Sequence, residues 1–162
     1  MRIGVISDTH DYLSPAEEAI EQMGAIDALI FAGDCYSDLA GLSPVIKVPL
    51  YAVPGNSDRH CQAPEELTVT LEGCKVLITH GHRYRVKKTL TSLYFKAQEL
   101  GVQGVVFGHT HEQLNISEQG ICLFNPGSTL LSCYGILHIS SKGVEGELFT
   151  ITQKNSSELR NL

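Results

Sequence analysis

The stretch Arg2-Ile3-Gly4-Val5-Ile6-Ser7-Asp8-Thr9-His10 decides the fold. Residues 2–6 form a continuous, largely β-branched apolar run, the pattern of a strand covered on both faces. A carboxylate and an imidazole, Asp8 and His10, follow it directly. The same construction recurs four times: LIFAGD (Leu29 to Asp34), YAVPGNSD (Tyr51 to Asp58), VLITHGH (Val76 to His82) and VVFGHTH (Val105 to His111). Adjacent parallel strands open their carboxyl ends onto one edge, where α/β folds bind ligands. Five polar clusters are therefore expected to converge.

Between and beyond these strands the chain carries further elements. Ser14, Pro15, Glu17 and Glu18 read as a cap, first-turn proline and acidic first turn of a helix running to Met23, with Gly24 past its end. Lys87 to Leu100 reads as a second helix, with Leu90, Leu93, Tyr94 and Ala97 on one stripe and Gly101 ending it. A strand is expected over Leu67 to Leu71. After residue 110 strands follow without helices: Gln113 to Ile116, Ile121 to Phe124, Tyr134 to Ile139 and Val144 to Thr152. A βαβ region followed by an antiparallel run implies two packed sheets with helices outside.

The 162 residues fit one domain, spanning 1–162, with the polar segment 153–162 expected to fray. A hydrophobic fraction of 43% and a charged fraction of 19% supply an ordinary globular core rather than a disordered chain. The net charge of −6 gives no long-range attraction to nucleic acid or an anionic membrane, so stable nucleic-acid binding is not expected. No apolar run approaches the length of a membrane span, and the opening apolar segment is too short for a secretory leader. The cytoplasm is the expected location. Five cysteines with no CxxC pairing fit reduced thiols serving as small apolar residues.

The metal-competent side chains at the strand ends are Asp8, His10, Asp34, Asn56, His80, His109 and His111. Seven ligands suffice for two divalent ions if one carboxylate bridges. Carboxylate, carboxamide and imidazole together suit Mn²⁺, Fe²⁺, Co²⁺, Ni²⁺ or Zn²⁺, and the absence of cysteine argues against a structural zinc site. Taken singly, DTH, GD and PGNSD each read equally as an ordinary turn or helix cap, because Asp, Asn, Ser, Gly and Pro are the residues turns use. GHTH is more telling, since histidines at i and i+2 after a buried strand rarely serve packing. All five at five strand ends leave a purely structural origin improbable.

DTH, GD, GNSD, HGH and GHTH, in this order, resemble the signature of calcineurin-like metallophosphoesterases, and FNPGS (Phe124 to Ser128) is similar to the small prokaryotic phosphodiesterase branch. The resemblance implies an α/β fold, a four-layer α/β/β/α sandwich. It further implies that Asp8, His10 and His111 hold one ion, that Asn56, His80 and His109 hold the other, and that Asp34 bridges. The implied function is phosphodiester hydrolysis by a hydroxide bridging two divalent ions, most naturally Mn²⁺. Asp34, Asn56, Ser57 and His109 would take part in catalysis, and a small phosphodiester would be the substrate.

Ser57 stands where larger members carry a histidine. A hydroxyl is a poor proton donor near neutral pH, so diesters with acidic leaving alcohols should be preferred, unless His60 or His82 supplies the proton. Arg59, Arg83 and Arg85 follow ligand clusters and are candidates to meet substrate oxygens, Arg59 and Arg83 foremost. Asn125 and Ser128 are candidates to brace the site. The alternatives are phosphomonoester hydrolysis at the same centre, and a metal-binding interaction scaffold of the retromer-subunit type. A homo-oligomer is left open.

Overall fold

The structure, a computed structural model, describes residues 1–152. The segment expected to fray, 153–162, lies outside the described residues. The strands are β1 (Arg2–Ile6), β2 (Ala28–Phe31), β3 (Leu50–Ala52), β4 (Glu66–Leu71), β5 (Cys74–Thr79), β6 (Gly104–Val106), β7 (Gln113–Glu118), β8 (Ile121–Pro126), β9 (Cys133–Ser140) and β10 (Gly143–Thr150). The helices are α1 (Leu13–Met23), α2 (Asp38–Leu42) and α3 (Thr91–Leu100), with 3-10 turns at His82–Tyr84 and Thr129–Leu131.

Two five-stranded sheets form, in the orders β10-β9-β1-β2-β3 and β4-β5-β6-β8-β7. Within the first, β1, β2 and β3 are parallel; within the second, β5, β6 and β8 are. The five polar clusters therefore sit at carboxyl ends divided between two sheets rather than along one. Face-to-face packing of the sheets is what brings them together.

Alternation along each strand sorts the side chains into layers. Ile3 and Val5 of β1, Ile30 of β2, Ile78 of β5 and Phe124 of β8 fill the space between the sheets. Ile6, Leu29 and Phe31 turn the other way, onto Ala16, Ala19 and Met23 of α1 and Leu42 of α2. Leu77, Val105 and Leu123 pack beneath Leu93 and Ala97 of α3. Strands with apolar residues on both faces need cover on both, and the resulting order is helix, sheet, sheet, helix.

The local departures have physical causes. α1 begins at Leu13, with no side-chain cap, because the preceding turn is held instead by the Tyr12 N–H donating to the Thr9 carbonyl (3.0 Å) and by Asp38, which accepts from Thr9 Oγ1 and the Asp11 N–H. Ser14 is thus inside the helix. α3 begins at Thr91, not Lys87: residues 85–88 close a separate turn through Lys88 N–H to the Arg85 carbonyl, and Thr89 Oγ1 takes the Thr91 N–H. α2 is a single five-residue helix containing Gly41, too short for periodicity to reveal. All five cysteines are free thiols, but Cys35, Cys61 and Cys133 are only partly buried.

Candidate metal centre

The seven candidate ligands occupy the turns that leave β1, β2, β3, β5 and β6. Five of them, Asp8, His10, Asp34, His109 and His111, hold φ between 49° and 69°. Non-glycine residues rarely adopt this left-handed conformation, and its recurrence here marks backbone bent to aim side chains inward. Two glycines make room for the carboxylates. A Cβ at Gly55 would overlap Asp34 Oδ1, and one at Gly108 would overlap Ser7 Oγ and lie 2.7 Å from Asp8 Oδ2.

Each carboxylate is divided between two tasks. Asp8 Oδ2 accepts from Ser7 Oγ (2.5 Å) and the His109 N–H (3.2 Å). Its Oδ1 is buried and has no hydrogen-bond partner among the described residues, although the Nε2 atoms of His111, His10 and His80 stand 3.2, 3.9 and 4.0 Å away. Asp34 Oδ1 accepts from both the Ser57 N–H (3.0 Å) and Ser57 Oγ (2.9 Å). Its Oδ2 faces His80 Nε2 at 3.5 Å and His10 Nε2 at 3.9 Å. The outer oxygens are tied to the protein and the inner ones are turned to imidazoles.

The imidazoles are oriented to match. His80 Nδ1 donates to the Ala32 carbonyl (2.8 Å), which turns Nε2 to the centre, 3.2 Å from Asn56 Oδ1, as a lone pair when the ring is neutral and as a donor toward Asp34 when it is charged. His10 Nε2 and His111 Nε2 face each other at 3.2 Å. Electron-pair donors crowded this closely repel unless a cation or proton lies among them, and a buried carboxylate oxygen without a partner costs about 1–3 kcal/mol. The donor set fits divalent ions. Asp8, His10 and His111 form one cluster able to hold an ion, and Asp8, Asp34 and His80 another. Asp8 belongs to both, and Asp34 Oδ2 reaches toward histidines of both. His109 joins neither cluster; its ring stands 5.0 Å from that of His80.

Electrostatics follow from this packing. Burial raises the pKa of Asp8, a tendency only partly offset by His80, the Ser7 hydroxyl and His111. Burial also acts to raise Asp34, but hydrogen bonds from His80 and Ser57 hold it well below the usual carboxylate range. His80 is raised: burial opposes its charge, and the Asp34 hydrogen bond with the charges of Asp8 and Asp34 more than compensates. His109 is pushed down to about 4 by burial and by the neighbouring positive His80 and Lys87.

Around this centre lie the remaining candidates. Asn125 donates to the Gly108 carbonyl (2.9 Å) and Thr110 Oγ1 (3.0 Å), and Ser128 Oγ donates to the Asp8 carbonyl (2.7 Å). The FNPGS segment thus clamps two ligand turns. His82 stands beside the centre, 5.4 Å from His80 and 6.1 Å from His109 between ring centroids. Arg83 is engaged by Glu65 at 2.6 Å on the surface, whereas Arg59 lines a cavity that Ser57 also lines. Sequence reasoning missed Ser7 and Asp58. Ser7 supports Asp8, and Asp58 ties the GNSD turn by accepting from the Tyr36 and Gly55 N–H groups at 2.8 Å each. Their only sequence signal is position next to a ligand. A cavity of about 730 Å³ between α1 and residues 44–48 contains none of the seven side chains.

The chain is similar to several known proteins. The chain is 30% identical to the probable metallophosphoesterase YsnB of Bacillus subtilis, over 99% of this chain and 98% of that one. It is also 30% identical to a phosphodiesterase of Methanocaldococcus jannaschii, over 85% and 87% of the two chains. The crystal structure of an uncharacterized Streptococcus pneumoniae protein, predicted to be a phosphoesterase, superposes with a TM-score of 0.76 at 30% identity, over 92% and 88%. The family model of the calcineurin-like phosphoesterase superfamily domain matches residues 1–142. With its sandwich of two sheets and its candidate ligands gathered at their shared edge, the chain belongs to the calcineurin-like phosphoesterase superfamily.

Proposed function

We propose that this phosphoesterase hydrolyses phosphodiesters at a centre of two divalent ions, Mn²⁺ foremost. The observation that carries the reading is Asp8 Oδ1, buried without a hydrogen-bond partner amid three imidazole nitrogens. Asp8, His10 and His111 would hold one ion, Asn56, His80 and His109 the other, and Asp34 would lie between. When bound, the ions supply an acidified water as nucleophile and take up charge at phosphorus.

Charge favours a diester over a monoester. Four positive charges from two ions, less two from Asp8 and Asp34 and one from a hydroxide, leave about +1, which a phosphodiester monoanion neutralises. Arg83, which could otherwise help hold a dianion, is already paired with Glu65. The phosphodiesterase of M. jannaschii supports the same preference. The retromer-type scaffold reading would be favoured by missing ligands, and here all seven positions are filled.

Ser57 acts through Asp34 in this reading. Its hydroxyl donates to Asp34 Oδ1 and accepts the Cys35 N–H (3.2 Å), so it holds the bridging carboxylate rather than protonating a leaving group. Departure then depends on the leaving alcohol itself. The test is chelation followed by titration with Mn²⁺, assayed on bis(p-nitrophenyl) phosphate, p-nitrophenyl phosphate and a dialkyl phosphate. Mn²⁺-dependent turnover should be fastest on the aryl diester and slowest on the dialkyl one. Activity indifferent to chelation, or none with any first-row ion, would reject the proposal.

A further inference from the structure

Beside the metal centre lies a cavity of about 360 Å³ whose wall includes Tyr36, Ser57, Arg59 and His60. Ser57 belongs both to this wall and to the centre, since its hydroxyl reaches Asp34 Oδ1 at 2.9 Å. Ser57 is the link through which a group attached to a phosphorus at the centre could reach this cavity. We infer that the cavity is the subsite for the second ester group of the substrate, and that it selects an aromatic group bearing its own negative charge. The inference rests on the phosphodiesterase reading and adds a substrate class to it.

Two features specify that class. The first is Arg59. Its natural partner in the turn, Asp58, has both oxygens occupied by backbone N–H groups of Tyr36 and Gly55. Among the described residues no hydrogen bond or ion pair engages the Arg59 guanidinium, in contrast to Arg83 with Glu65. Arg59 is exposed and repelled by a centre built for cations, so it is available to an anion brought in from solution. The second is Tyr36. Its ring meets Phe31 edge-on at 6.5 Å, and its backbone is pinned by Asp58. A ring held in place offers a flat apolar surface at little entropic cost, which suits an aromatic guest. The surrounding turn is closed by the Asp58 N–H to Gly55 carbonyl and Cys61 N–H to Asp58 carbonyl bonds, so the wall is preformed.

The test uses three diesters that share a p-nitrophenyl leaving group and differ in the other ester: methyl, phenyl and 4-carboxyphenyl. With Mn²⁺-loaded protein, kcat/KM should rise a few-fold from methyl to phenyl, the size of an aromatic contact. It should rise again by on the order of tenfold to 4-carboxyphenyl, the size of one charge-assisted hydrogen bond at a partly open site. Arg59→Met should collapse the carboxyphenyl-to-phenyl ratio, and Tyr36→Leu the phenyl-to-methyl ratio. A flat series in the wild type, or ratios unchanged in the variants, overturns the inference while leaving the hydrolase reading intact. Binding of methyl, phenyl and 4-carboxyphenyl phosphate to the Mn²⁺-loaded protein, measured by calorimetry, separates the two ideas. If no diester turns over, the hydrolase reading fails. The subsite then stands if affinity still climbs along that series and Arg59→Met flattens it, and falls if the series is flat.

Discussion

Replacing Asp8 by Asn should stabilise the metal-free protein and destroy its response to metal. The amide oxygen takes the place of Oδ2, keeping the bonds from Ser7 Oγ and the His109 N–H. The amide nitrogen then occupies the position of Oδ1, 3.2 Å from His111 Nε2. A buried acceptor with no partner becomes a donor facing a lone pair. The raised pKa of Asp8 has the same meaning: its surroundings disfavour the charge, chiefly through burial. Relieving an unpaired buried group is worth about 1–3 kcal/mol, which at about 2–4 °C per kcal/mol for a chain of this size raises Tm by roughly 2–12 °C. Metal reverses the order. In thousandfold excess over Kd each ion adds about 4.1 kcal/mol to the wild type, and the variant forfeits most of it. Thermal melts with chelator and with Mn²⁺ give the four Tm values. Asp8→Asn melting below the wild type in chelator, or gaining as much from Mn²⁺, refutes the assignment of Asp8 Oδ1 to a cation.

Three more outcomes are expected. Ser57→Ala leaves Asp34 Oδ1 with the backbone donor alone and should weaken Mn²⁺ binding by roughly 10–100-fold in calorimetry, the usual loss when a ligand's hydrogen-bonded support is removed; unchanged affinity would show that Asp34 does not depend on it. Gly55→Ala would press a methyl group against Asp34 Oδ1 and the Asp34 backbone nitrogen, costing about 1–3 kcal/mol and the metal response together; a native Tm with native Mn²⁺ affinity would contradict the close approach. The chelated protein should melt highest near pH 6.5. The raised His80 pKa contributes stability that is complete below 6.5 and lost as pH rises through its folded value. The His109 pKa, held at about 4, costs stability as pH falls from 6.5 toward that value. Mn²⁺ should move the maximum upward, because it needs His80 neutral. A chelated Tm that climbs as pH rises above 6.5 would count against the His80 environment.

Much of this site is legible in the chain itself. Runs such as Ile3 to Ile6 and Val105 to Phe107 read as strands covered on both faces, and the residues after them carry the chemistry in their side-chain types. Which positions supply carboxylate, carboxamide and imidazole is therefore a local matter, written in residue order. Tertiary structure decided what depends on distances between remote positions. Asp8 and His111, 103 residues apart in number (111 − 8), meet across the two sheets. Packing alone determined which oxygen of each carboxylate is turned to the imidazoles, since the choice rests on Ser7, Ser57 and the His109 N–H. It also withdrew Arg83 into a pair with Glu65 and left Arg59, beside Ser57, unengaged among the described residues, a difference two arginines in similar turns cannot announce. Residue identity sets what a group can do; the fold sets which of its atoms remain free to do it.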